Sequence, residues 1–248
     1  MKQALTPLTL DAHKTLIITR ILIMEHSREP TALLWSALAP CILFLMTTQS
    51  SHPPQPYINS AAWFYSYISA SIAFFGFSFY LIGRRESGFI RSFIYERTAI
   101  RRFLVAHTLS YSAISLFYAF LFYLATKPFF GSYSLGELLH LLACFYTSYL
   151  LFTCIGLGIA SLPIKFNTAS TLFSLMSFLM LISGYAGTLQ SQGVSHTLAH
   201  YNPLHFSSQL FLEKSIPTQS LLAALTTAFA ALYLTARYFR IQPIWSRY

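Results

Sequence analysis

The stretch from Ser60 to Ile82 carries no charged side chain. Coiled as a helix rising ~1.5 Å per residue, it is long enough to cross a hydrocarbon core of ~30 Å. Comparable apolar runs recur at residues 31–48, 103–126, 138–162, 168–187 and 220–236. They are continuously apolar rather than alternating, which excludes a transmembrane β-barrel. The expected fold is therefore all-α: a polytopic membrane protein with six transmembrane helices. Composition agrees, because only 9% of the 248 residues are charged. A soluble domain carries roughly a quarter and needs them to cover its surface.

The segments between the runs give the rest of the plan. Residues 8–29 read as an interfacial helix, with Leu10, Ile17, Ile21 and Met24 as an apolar stripe and Asp11, Lys14, Arg20, Glu25 and Arg28 off it. Arg20, Glu25, Arg28 and Glu29 also interrupt this first apolar cluster, which argues against a cleavable signal peptide. Trp35 sits near the start of the first span, and Pro40 should kink it. Residues 188–218, broken by Gly193, Pro203 and Pro217, are too interrupted to span and fit short re-entrant or interfacial helices before the last span.

Six of the sixteen Lys and Arg residues fall between Arg84 and Arg102. In that segment Phe89, Ile90, Phe93, Ile94 and Ile100 recur at the spacing of one helical face, so a short amphipathic, basic helix is expected. Counting Lys and Arg over alternate loops places fourteen on one side and only Lys127 and Lys214 on the other. The positive-inside rule then puts both termini and residues 84–102 in the cytoplasm, in a bacterial inner membrane. The net charge of +9 lies along membrane-flanking loops, not in a separate basic domain, so a nucleic-acid partner is not expected.

Chemistry-bearing motifs are sparse. The chain has neither a Gly-rich Walker loop nor Gly-x-Ser-x-Gly nor His-Glu-x-x-His, so it is not expected to be an enzyme. Ionisable side chains inside the spans are almost absent, which argues against proton- or sodium-coupled transport. Cys41, Cys144 and Cys154 lie in apolar runs and read as buried thiols. His196 and His200 stand four apart, with His205 nearby, but no carboxylate or cysteine completes a metal site, and ordinary interfacial histidines are the simpler reading. Gly156, Gly158 and Ala160 suit close helix packing.

Three short motifs carry a resemblance. Arg28-Glu29-Pro30 followed by Leu34-Trp35 and Pro40, then Arg85-Glu86-Ser87-Gly88-Phe89-Ile90, then Asn202-Pro203-Leu204 occur in this order. The chain thereby resembles ABC-2-type transporter permeases over its whole length, as one transmembrane domain of residues 1–248. The resemblance implies a cytosolic interfacial helix leading through Arg28, Pro30 and Trp35 into the first span. It implies a coupling helix at residues 84–102, docking on a separate ATPase subunit through Arg84, Arg85, Glu86, Gly88, Phe89, Ile90 and Phe93. It also implies an extracellular re-entrant segment holding Asn202, Pro203 and Leu204. The chain itself needs no cofactor on this reading; ATP and magnesium belong to the ATPase. Two copies, or one copy and a sibling permease, would form the path for a drug, lipid, glycan or peptide. Arg97 departs from the family, which often has proline there. Without the resemblance, the basic segment reads as a positive-inside anchor, Glu86 as half of a local, exposed ion pair, and the chain as a non-transporting scaffold or assembly factor.

Overall fold

The computed structural model describes residues 7–29, 34–49, 56–89, 97–189, 202–213 and 218–238. Among these residues the secondary structure is helical throughout, with no strand. Helix α1 covers Pro7–Ser27; α2 opens with a π-helical turn, Leu34–Leu38, and continues through Ala39–Gln49. Helix α3 is Tyr57–Glu86, α4 is Arg97–Thr126, α5 is Leu135–Ser161 and α6 is Phe166–Leu189. A short helix α7, Pro203–Leu212, precedes α8, Thr218–Tyr238. Among the described residues, five helices are long and apolar enough to cross a membrane, namely α3, α4, α5, α6 and α8. Helix α2 falls short of that length there, its apolar part being Ala39–Thr48. The π turn of α2 lies just ahead of Pro40. A proline cannot donate to the carbonyl four residues back and its ring crowds it, which accounts for the wider turn there.

Helix α3 is the axis of the bundle: 61% of its apolar window is buried, against 17% for α6 and 11% for α8. It too contains a π stretch, Ile72–Ser78. There the Ser78 hydroxyl donates to the carbonyl of Ala73 at 2.8 Å, five residues back, holding the wider turn. The backbone of α5 comes close at Gly156, where an added Cβ would lie 2.9 Å from Ser78 Cβ. An aromatic core fills the end of the bundle where α3 begins. Phe44 meets Tyr57, Phe64, Phe122 and Phe130 at 5.3–6.0 Å between ring centres. Beside it Lys127 pairs with Glu137 and sits over the Tyr57 ring at 4.9 Å.

Helix α1 packs along α4, but not on the stripe expected from its sequence. Ile17, Ile21 and Met24 are exposed; the buried face is Thr19 and Leu22, with His26 half-buried. Thr19 donates to the carbonyls of Thr15 and Ala106, and His26 Nε2 lies 2.9 Å from the Tyr118 hydroxyl. The sequence hid this face because α1 is apolar on two sides. Burial lowers the pKa of His26 below its ordinary 6.5, against the opposing pull of Glu29. The docked ring therefore binds fewer protons than the free one, and stability rises with pH through this range. Docking of α1 should weaken as pH falls from 7.5 to 5.5. Hydrogen-exchange protection factors along α1, corrected for the intrinsic pH dependence of amide exchange, should fall accordingly, and His26→Phe should flatten the dependence; equal slopes in both proteins would refute it.

Helix α7 is buried among α3, α5 and α6. Asn202 caps it: its Oδ1 accepts from the Leu204 amide at 2.9 Å, while its Nδ2 donates to the Met180 carbonyl at 2.7 Å. Pro203 occupies the first helical position, where a missing N–H costs nothing, and Leu204 is fully buried. Asn202→Ala should destabilise the protein by about 2 kcal/mol, from the lost cap and the lost hydrogen bond to α6. Asn202→Asp, which keeps the cap acceptor, should fall between; thermal unfolding in detergent reads both.

Candidate functional site

The basic segment is not one helix. Arg84, Arg85 and Glu86 form the last turn of α3, and Ser87 and Gly88 make a turn. Gly88 adopts φ +72°, a left-handed conformation that ends the helix and that side chains with a Cβ resist. Arg97 opens α4. Ile90, Phe93 and Ile94 lie outside the described residues, as do Pro30, His196 and His200. Gly88 ends α3 ahead of Phe89, so residues 84–86 belong to α3 and not to a helix running on to residue 102.

Arg85 and Glu86 face inward. Arg85 is 1% exposed and spends its guanidinium on the end of α5. Its Nη1 donates to the carbonyls of Ala160 (2.8 Å) and Leu162 (3.2 Å), and its Nη2 to that of Ile164 (2.8 Å). Its Nε donates to Glu86 Oε1 at 3.0 Å. A helix ends in unsatisfied carbonyls carrying partial negative charge, and a planar fork of N–H groups is suited to collect them. The local ion pair expected for Glu86 exists, but it is buried, not exposed. Arg84 turns the other way. It pairs with Glu25 of α1 and with the Tyr80 hydroxyl, and Tyr80 in turn donates to Glu25 Oε2 at 2.8 Å. The guanidinium also lies over the Tyr80 and Phe89 rings at 4.7 and 4.5 Å. Farther along, Arg102 meets Asp11 at 2.7 Å. The N-terminal helix is thus tied to the end of α3 and the start of α4.

Above the Arg84–Glu25 pair a groove of about 760 Å³ runs along α3. Tyr67 and Ser71 line it one per turn; from the π stretch onward, residues line it in adjacent pairs, Phe75 with Gly76, Phe79 with Tyr80, Gly83 with Arg84. The wider turn shifts the helical register, and so brings a second column of side chains onto the same face. Gly76 keeps room for the Tyr111 ring, 2.8 Å from where a Cβ would stand. Phe166 of α6 packs on Phe79 at 4.4 Å and closes one side. The mouth carries Glu25 and His26 of α1 and Glu29 just past it. The groove is an aromatic wall with charge gathered at one end, suited to binding an amphipathic molecule rather than to bond chemistry. Nothing in the sequence marked it, since its residues are spread over four helices. A period-four reading of Tyr67, Ser71, Phe75, Phe79 and Gly83 would have found the α3 face.

Trp35 lies in the first turn of α2, and Arg28 and Glu29 are exposed just past α1. Among the described residues no cluster of His, Cys, Asp or Glu could hold a metal ion, and His205 is half-buried in α7.

No protein-family model matches the chain. It is 26% identical over 243 residues to Protein McbE of Escherichia coli, covering 94% of this chain and 98% of that one. This end-to-end likeness joins the apolar helices in describing a membrane-embedded helical protein.

Proposed function

We propose that the chain is the membrane-spanning permease subunit of an ATP-binding cassette exporter, working with a separate ATPase subunit that binds ATP and magnesium. The observation that carries this reading is the joint at the basic end of α3. The last turn of α3, the start of α4 and helix α1 are fastened there by Arg84–Glu25 and Arg102–Asp11. A push on the turn at Ser87–Phe89 would move three helices together and tilt the wall of the α3 groove. In this reading the basic end is cytoplasmic, α2 completes six crossings, and α7 is the re-entrant element on the outer side. A second copy or a sibling permease covers the open side of the groove. With Arg85 and Glu86 turned inward, contact with the ATPase falls to Ser87, Gly88 and Phe89 and to the residues after them. Arg84 and Arg85 position that turn.

The test is cross-linking. In membranes holding the full complement of partners, Ser87→Cys carrying a photoactivatable maleimide should capture a protein with a Walker-type nucleotide site. Capture of lipid alone, with no ATPase co-purifying from detergent, would overturn the proposal and favour a scaffold that binds no ATPase.

A further inference from the structure

A second cavity, of about 470 Å³, opens between α4, α5 and α8, with Phe77 of α3 at its floor. It is separate from the α3 groove and sits near the middle of the bundle, since Tyr149 and Thr153 occupy the centre of α5. No charged side chain lines it. Most of its hydroxyls are already engaged. Thr108 donates to the Leu104 carbonyl at 2.8 Å, Thr226 to that of Ala223 at 2.9 Å, and the Tyr146 hydroxyl to Ser112 Oγ at 3.2 Å.

Two are not. Tyr149 and Thr153 are 1% and 4% exposed, and neither Tyr149 Oη nor Thr153 Oγ1 has a hydrogen-bond partner among the described residues. They stand one helical turn apart on the cavity wall, near enough to interact but outside hydrogen-bonding geometry. Thr153 also forgoes the bond to the carbonyl four residues back that Thr147 makes on the same helix. A buried, unpaired hydroxyl is costly, and at this depth in a bilayer bulk water cannot repair it.

We infer that this cavity binds an uncharged lipophile bearing a single hydrogen-bonding group, a hydroxyl or carbonyl, which Tyr149 and Thr153 take together. The absence of charge on the walls rejects ionic headgroups, and the depth rejects the ester region of a phospholipid, which stays at the interface. Entry is sideways from the bilayer, past Phe229, which is 74% exposed on α8. The inference stands apart from the export proposal, because it concerns a different wall of the protein and needs no ATPase.

The test uses the purified full-length chain in lipid nanodiscs and two probes, a diazirine-bearing long-chain alcohol and the matching alkane without the hydroxyl. Saturable labelling of the α8 peptide around Leu225–Leu232 should favour the alcohol by about tenfold, the discrimination expected of one good hydrogen bond. Tyr149→Phe combined with Thr153→Val should bring the ratio close to one. In that variant saturable labelling by the alkane should stay at its unsubstituted level, whereas a general loss of fold would lower both labels. Equal labelling by the two probes in the unsubstituted protein overturns the inference, as does a preference that survives the double substitution.

Discussion

Arg85→Leu should lower the stability of the protein by about 3–5 kcal/mol, the range for breaking a buried ion pair by removing one partner. The substitution does two kinds of damage. It leaves the carbonyls of Ala160 and Ile164 without the guanidinium donors that now reach them, and that of Leu162 with the Ile164 amide alone. It also removes the guanidinium that neutralises Glu86, a side chain only 8% exposed. At roughly 2–4 °C per kcal/mol for a chain of this size, the thermal midpoint should fall by roughly 10 °C. Arg85→Lys should recover little of it, because an ammonium on a flexible stem cannot reach three diverging carbonyls and a carboxylate at once. A midpoint within a degree of the unsubstituted protein would show that Arg85 does not hold the end of α5. The consequence for function is equally definite. Charge reversal at Arg85 or Glu86 should reduce the amount of folded protein in the membrane, so it cannot serve as a clean probe of docking.

Gly156→Val should cost about 3 kcal/mol or more, at the upper end of overpacking penalties. A Cβ at this position runs into the Ser78 hydroxyl and stands 2.9 Å from Ser78 Cβ and 3.4 Å from the Ala73 carbonyl. Ser78 cannot simply swing away, since its hydroxyl holds the π turn of α3 through Ala73. Either α5 backs off or the π turn is lost, and the second outcome would remove one of the two columns of side chains on the groove. Gly158→Val is the internal comparison: a Cβ there meets nothing within 4 Å, and the substitution should be close to neutral. If both behave alike in thermal unfolding, the close approach of α3 and α5 is not what Gly156 serves.

The parts of this architecture that could be read from the chain are those decided by one segment at a time. Long charge-free runs mark α3 to α6 and α8 because a hydrocarbon core leaves a chain few alternatives. Asn202-Pro203-Leu204 stands out as a motif but Pro203 reads as an interruption, although a cap residue followed by proline is also the local signal of a helix start. Gly156 as a packing position also followed from its size, although Gly158, two residues on, touches nothing. What escaped were decisions made between segments. The partners of Arg85 are backbone carbonyls, which every residue has and no sequence singles out. Arg84 pairs with Glu25, fifty-nine residues earlier. The buried face of α1 could not be chosen by hydrophobicity when a second apolar face competes with it. A single helix running from residue 84 to residue 102 is ruled out by Gly88, whose left-handed backbone ends α3 just before the apolar positions begin.

The seat of α7 has a mechanical consequence. Between α3, α7 and α5 runs a chain of three serines: Ser207 donates to Ser66 Oγ at 3.0 Å and lies 2.7 Å from Ser148 Oγ, while Ser66 donates to the Ala62 carbonyl of its own helix. Each hydroxyl in such a chain has a fallback, because a helical serine can turn onto a carbonyl three or four residues back. Ser208 already does so with His205. Pulling α7 out would therefore exchange these bonds rather than strand them, at a cost set mainly by the Phe211–Tyr65 stack at 5.5 Å and the Asn202 tether. The short helix is latched at both ends, at its head by Asn202 and at its tail by Cys144 Sγ and His140 Nε2, which lie 3.3 and 3.4 Å from the Leu210 and Phe211 carbonyls, and its bonds can be exchanged freely only between those two points.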